Sequence, residues 1–194
     1  MPTRSLTADD KTAAGVGPID SATPSAAGIL RYQLNVVAST TADVVRSAGG
    51  WLYDSARAGW DVNVLVADGG DPRPLSILGA SALDLDGDFL STVRSASRGE
   101  ALAVSADLLD ADARVRDEIV RVLKRGITEV TVWGTQWPAG FGRQGDSVQH
   151  RVSAAARAFK SHALVAADVS ADAVTSTEAL FTIGTGSFRP LYSV

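Results

Sequence analysis

The sequence predicts an α/β fold: a three-layer, open and mostly parallel sheet flanked by helices, with a C-terminal antiparallel hairpin at one edge. Three observations carry that expectation. A strand-like run, YQLNVVAS at residues 32–39, is followed by a capped helix, a glycine stop and a second run, DVNVLVA at residues 61–67, which is the grammar of a β-α-β unit. Both runs are mostly apolar, as strands are when helices cover two faces of a sheet. The same grammar returns later in the chain, where EVTVWG at residues 129–134 follows a strongly amphipathic segment. A crossover of this kind makes its strands parallel and turns right-handed.

The elements follow in order. Thr40 caps the first helix and Asp43, three residues on, answers it as a short-acid capping box. The helix runs to about residue 58, with Val45, Ala48, Leu52 and Ala56 as its inward stripe. Gly49 and Gly50 in its middle cost about 1 kcal/mol each relative to alanine, tolerable where the helix is closely pressed and otherwise the mark of a kink. Residues 68–74 form a turn-rich loop, residues 74–80 read as a short strand, residues 83–93 fit either turn or helix, and residues 101–105 read as a core strand. Asp107 is expected to cap a helix with Leu108, Ala111, Val115, Ile119 and Val122 inside. Asp112 with Arg116, and Asp117 with Arg121, are its expected four-residue ion pairs, and Gly126 stops it. Asp146 with Gln149 is expected to open another helix, burying Val148, Val152, Ala155 and Phe159. Residues 163–169 divide between helix end and strand. Residues 179–184 and 188–194 form the expected edge hairpin, since Pro190 suits an edge.

With 194 residues, the chain has room for one well-buried domain. Residues 1–28, rich in Ser, Thr, Ala, Pro and Gly, read as a flexible tail, and residues 29–194 as a single α/β domain. The composition is 45% apolar and 21% charged, with mean hydropathy +0.09, which suits a folded body. The net charge of -4 supplies no global field for nucleic acid. There is no cysteine, hence no thiol nucleophile or thiolate metal site, and only two histidines, His150 and His162. No run of about 18 apolar residues crosses a membrane. Without a signal-peptide pattern, the cytoplasm is the expected compartment.

Ligands of open parallel sheets bind outside the carboxyl ends of the strands. That rule collects Ser39, Thr40 and Thr41 after the first strand, Asp68 and Asp71 after the second, Asp107 after a central strand, and Trp133, Gln136 and Trp137 after a later one. The three hydroxyls suit helix capping, or an anion at a helix N-terminus, although neither GxxxxGK[ST] nor GxGxxG is present. The acids at positions 84, 86 and 88 share only their spacing with a calcium loop. The loop WGTQWPAGFGRQGD, residues 133–146, offers Trp133, Trp137, Phe141 and Arg143 as interface groups, as loop packing, or as a lid over a small molecule. His150, Ser153, Arg157 and Lys160 share one face at helical spacing, suited to phosphates, to an acidic protein patch or to solvent. No GxSxG marks a serine hydrolase.

The favoured reading is a non-enzymatic regulatory or scaffold domain that acts through protein contact or self-association, with the Trp133-to-Arg143 loop as its surface. It carries no cofactor, and its partner is another protein or a second copy. Two alternatives stay open: a nucleotide- or phosphate-metabolite-binding enzyme using the carboxyl-end rim, with a nucleotide or Mg2+ bound there, and a nucleic-acid accessory protein using the Arg143-to-Lys160 face.

Overall fold

The computed structural model describes residues 32–95, 100–134, 136–138, 141 and 145–183. β1 (Gln33–Ala38) is the strand from which the chain winds both ways. It leads through α1 (Thr41–Arg57), β2 (Asp61–Val66) and α2 (Arg73–Ile77) to β3 (Ser81–Asp84) at one edge. From there α3 (Leu85–Ser95) returns the chain to β4 (Glu100–Ser105), and α4 (Ala106–Ala111) and α5 (Ala113–Arg125) carry it to β5 (Glu129–Trp133). β6 (Asp146–Arg151), α6 (Ala154–Ala166), a 3-10 turn and β7 (Thr177–Ile183) complete the described chain. The strand order is β3-β2-β1-β4-β5-β7-β6. The first five strands are parallel, β7 is antiparallel to β5, and β6 is antiparallel to β7.

The predicted three-layer α/β architecture with a C-terminal antiparallel edge is therefore present. The pair that builds the edge is different. Residues 179–183 lie in β7, but its partner is β6, and residues 188–194 fall outside the described residues, as does the expected tail at residues 1–28. No helix among the described residues is long and apolar enough to cross a membrane.

Residues 146–151 are a strand where a helix was expected, because all six pair in register with β7. The helix starts later, at Ser153, whose hydroxyl accepts from the Ala156 N–H at 3.0 Å. Residues 73–77 are a helix rather than a strand, with Pro74 supplying a preset helical φ in the first turn. The long helix expected after Asp107 is two. Ser105 caps α4 through the Leu108 N–H at 3.1 Å, and Asp112 ends α4 and caps α5 by accepting from Arg114 N–H at 2.8 Å and Val115 N–H at 3.3 Å. The expected ion pairs change accordingly: Asp112 meets Arg114, Arg121 meets Glu118, and Arg116 donates to the Leu109 carbonyl. Residues 163–169 hold the end of α6 and a turn, without strand.

α1, α2 and α6 cover one face of the sheet, on Leu34, Val36, Val62, Val64 and Leu180. α3, α4 and α5 cover the other, on Val37, Leu65, Leu102, Val104 and Val132. The predicted stripe of α5 is buried at Val115, Ile119 and Val122, each side chain contributing about 1.5–3 kcal/mol.

The Gly49-Gly50 pair in α1 has a specific cause. Lys160 of α6 and Glu178 of β7 form an ion pair with side chains 0% and 1% exposed. The Lys160 ammonium donates to the Arg46 carbonyl at 2.7 Å. The Glu178 carboxylate accepts from the Gly50 N–H at 2.8 Å and the Trp51 N–H at 2.7 Å. Arg46 lies four residues before Gly50, so the pair meets both the donor and the acceptor of one rung of the α1 ladder. A Cβ on Gly50 would sit 2.6 Å from Val152 Cγ1 and 3.0 Å from a Glu178 oxygen. Only glycine admits that approach.

Two outcomes follow from these contacts. Lys160→Met leaves Glu178 buried without its cation and is expected to cost about 3–5 kcal/mol in urea unfolding. Lys160→Met with Glu178→Leu is expected to recover most of that loss, because the Gly50 N–H and Arg46 carbonyl can then close on each other; equal losses in the two variants would refute the account. The Arg114 side-chain hydrogen bond, joined by the backbone N–H groups of Arg114 and Val115, holds the Asp112 carboxyl below its ordinary value of 3.8. A depressed carboxyl stabilises above its unfolded-state value, so this contribution is expected to fade as pH falls below 3.8. Asp112→Asn, read by denaturation across that range, should flatten this part of the pH dependence.

Candidate active-site rim

The sheet order places a switch point at β1 and β4. After β1 the chain turns into α1 on one face of the sheet, and after β4 into α4 on the other, so the two connections part above the carboxyl ends. β2, β1 and β4 are adjacent there. The loops bearing Asp68, the Ser39, Thr40 and Thr41 hydroxyls, and Asp107 therefore lie at the ends of three neighbouring strands.

Each of these residues has a local role. Thr40 Oγ1 accepts from the Asp43 N–H at 3.1 Å and its carbonyl from the Val44 N–H at 3.3 Å, which is helix capping. Thr41 is buried and Ser39 half-buried. Asp68 is exposed and closes its own loop by accepting from Gly70 N–H, and Asp71 does the same with Arg73 N–H. Asp107 is exposed in the first turn of α4. Asp84 and Asp86 sit at the start of α3, where Asp86 lies 3.7 Å from Arg114.

The residue that joins the rim across strands is Asp43. One of its oxygens accepts from Ser47 Oγ at 3.0 Å and the other from the Trp133 indole N–H at 3.2 Å. Trp133 is on β5, so the contact passes over the carboxyl end of β4. Trp133 is itself wholly buried, which fixes the indole and through it the carboxylate. Each carboxylate oxygen has a second lone-pair direction to offer. The sequence carried a signal for Asp43 only as an acid in a helix's first turn, and the capping box accounted for it without a site.

The aromatic loop residues turn inward. Trp133 packs in the α1-side core, and Trp137 packs on Phe141 and Phe181 with centroids 5.8 Å and 5.6 Å away. Arg143 lies outside the described residues. The expected basic face is dispersed: His150 is on β6 with Nε2 2.9 Å from Asp54, Arg157 is exposed on α6, and Lys160 is buried against Glu178.

No family model and no curated protein matches the chain. Solved structures do. A deacetylase–teicoplanin complex from the teicoplanin biosynthesis pathway has TM-score 0.57 at 13% identity, covering 80% of this chain and 100% of that one. The A40926 pseudoaglycone deacetylase Dbv21 has TM-score 0.56 at 15% identity, covering 81% and 100%. The zinc-inhibited form of teicoplanin deacetylase Orf2 has TM-score 0.51 at 11% identity, covering 80% and 100%.

These likenesses concern the fold, and they correct two expectations. The non-enzymatic, partner-binding or oligomeric scaffold gives way, because the architecture recurs in enzymes and the aromatic groups meant for its contact surface are packed inside. The expectation of no cofactor is not upheld either, since one of these structurally similar deacetylases is described in a zinc-inhibited form. The donors among the described residues do not fit zinc. Among the described residues no group of three or more His, Cys, Asp or Glu is placed to hold a metal ion, and both histidines lie on β6 and α6, away from the rim.

Proposed function

We propose that the chain is an enzyme that hydrolyses an acyl group from a small molecule bound at the carboxyl-end rim between β1 and β4. The observation that carries this reading is the Asp43 carboxylate, held from two sides by Ser47 and Trp133 beside the N-terminus of α1. The shared fold of the deacetylases supports the reaction class as a proposal. In it, a water hydrogen-bonded to Asp43 gives up its proton as its oxygen adds to the acyl carbon. The carbonyl oxygen gains negative charge near the N–H groups of Thr41 and Ala42, which have no partner within the helix. The proton passes to the leaving nitrogen or oxygen as the bond to it breaks, and the carboxylic acid departs.

The test is acetate release from a panel of N- and O-acetylated amines, sugars and alcohols, followed by proton NMR. Asp43→Asn is expected to lower the rate by about 10²–10⁴-fold with the melting curve preserved. An unchanged rate removes Asp43 from the chemistry, and no release from any substrate by the unaltered chain removes the reaction class.

A second reading has the Ser39, Thr40 and Thr41 hydroxyls beside the α1 N-terminus to favour it: a phosphate-bearing metabolite or nucleotide held at the same place. It predicts saturable heat on calorimetric titration with ATP, GTP or sugar phosphates, weakened by Thr40→Ala. No heat from any of them retires it.

A further inference from the structure

On the α3 side of the sheet, α3 and α5 lie beside each other and leave a cleft of about 320 Å3 between them. Its floor is apolar where the helices meet the core, with Leu85 and Phe89 of α3 and Val115 of α5 buried there. Leu90, at its border, is 49% exposed, so apolar surface in the cleft stays open to solvent.

Glu118 is the residue of this cleft that packing does not require. It stands on α5 three residues after Val115 and four before Val122, where an apolar side chain would continue the buried stripe. Its side chain is 5% exposed. Burial raises its carboxyl, but the hydrogen bonds from Arg94 and Arg121 outweigh burial and hold the group below its ordinary 4.5. Arg94 donates from Nε to one oxygen at 3.2 Å, and Arg121 donates from a terminal nitrogen to the other. One guanidinium would neutralise the carboxylate. The second leaves the trio with a surplus positive charge, and both exposed arginines keep most of their N–H donors.

The other charges of the lining are placed elsewhere. Arg114, two helical turns or about 10 Å before Arg121, is matched by Asp86 at 3.7 Å and Asp112 at 3.1 Å. Asp117 is exposed and stands about 100° around α5 from Glu118, where solvent screens it. The geometry points to a binding site for an amphiphilic monocarboxylate in the α3–α5 cleft, its carboxylate taken by Arg94 and Arg121 and its aromatic or aliphatic body laid on Phe89, Leu90 and Val115. A single surplus charge matches a carboxylate rather than a phosphate dianion. The apolar floor in turn favours an acid with an apolar body over a small bare anion. This site is built from two helices of the α3 side and does not rest on the deacylase reading.

The test is an amide NMR titration of the full chain with phenylacetate and octanoate, set against phenethyl alcohol, acetate and inorganic phosphate. The expected result is saturable shifts at Leu90, Arg94 and Arg121 from at least one of the two acids, with the three controls weaker by about tenfold or more. Arg94→Gln leaves Arg121 on Glu118 and is expected to weaken that acid by about tenfold or more at an unchanged melting temperature. Leu90→Gln, at an exposed position, serves by the same criterion if Arg94→Gln lowers the melting temperature. No saturable shift from either acid overturns the assignment. So does equal binding of the alcohol, acetate or phosphate, or undiminished affinity in the folded variant.

Discussion

The buried pair of Lys160 and Glu178 is the constraint around which one half of the molecule is arranged. It joins α6 and β7 to the middle of α1, and it does so by entering the backbone ladder of that helix rather than by touching its surface. Two charges without solvent are costly unless their hydrogen-bonding capacity is met. Here the main-chain groups of Arg46, Gly50 and Trp51 meet it. The requirement propagates outward. Gly50 must lack a Cβ for Val152 and Glu178 to reach it, and Val152 is placed by its N–H bond to the Ser176 carbonyl at the end of the β6–β7 pair. Nearby, Asp54 of α1 receives the Ser153 N–H and lies against His150. The antiparallel edge is thereby fastened to the helix that follows β1.

That fastening bears on the rim. α1 is held at its middle by the ion pair and at its first turn by Thr40 and by the Asp43–Trp133 contact. A carboxylate that is to accept a proton from a positioned water needs a fixed direction, and a site borne on rigid elements supplies one better than a loop does. Asp43 stands on a helix held at two points and is bonded to an indole wholly inside the core. The parallel sheet does the remaining positioning: its order sends the helices after β1 and β4 to opposite faces, so that their first turns start from neighbouring strand ends.

The two ends of the sheet consequently differ in character. At the carboxyl ends, helix N-termini and carboxylates gather around a topological gap. At the amino-terminal ends of β1 to β3, amides, a hydroxyl and a carboxylate line a cavity on one face.

Local chemistry was legible along most of the chain. The β1-α1-β2 unit, the Thr40 cap, the stripe of α5 and its Gly126 stop can be read from residue order, because strand periodicity, capping and helical spacing act within a few residues. The same local rules misread residues 146–151 as helix and residues 74–80 as strand. They also ran α4 and α5 together, since Asp112 fits an ion pair at helical spacing as well as a cap. The rim was legible only as a set of strand ends. Asp43 was hidden because its capping role explained it completely, and its second role depends on Trp133, ninety residues away in sequence.

By itself the sequence determined the class of fold, the parallel crossovers and the exclusion of thiol and multi-histidine chemistry. The tertiary structure decided the strand order, the pairing of β6 with β7, the burial of Lys160 and the inward turn of the tryptophans. The physical reason is range. Caps, stripes and turns are settled by neighbours along the chain, whereas the partner of a buried charge or an edge strand is chosen by whatever distant segment the packed core brings beside it.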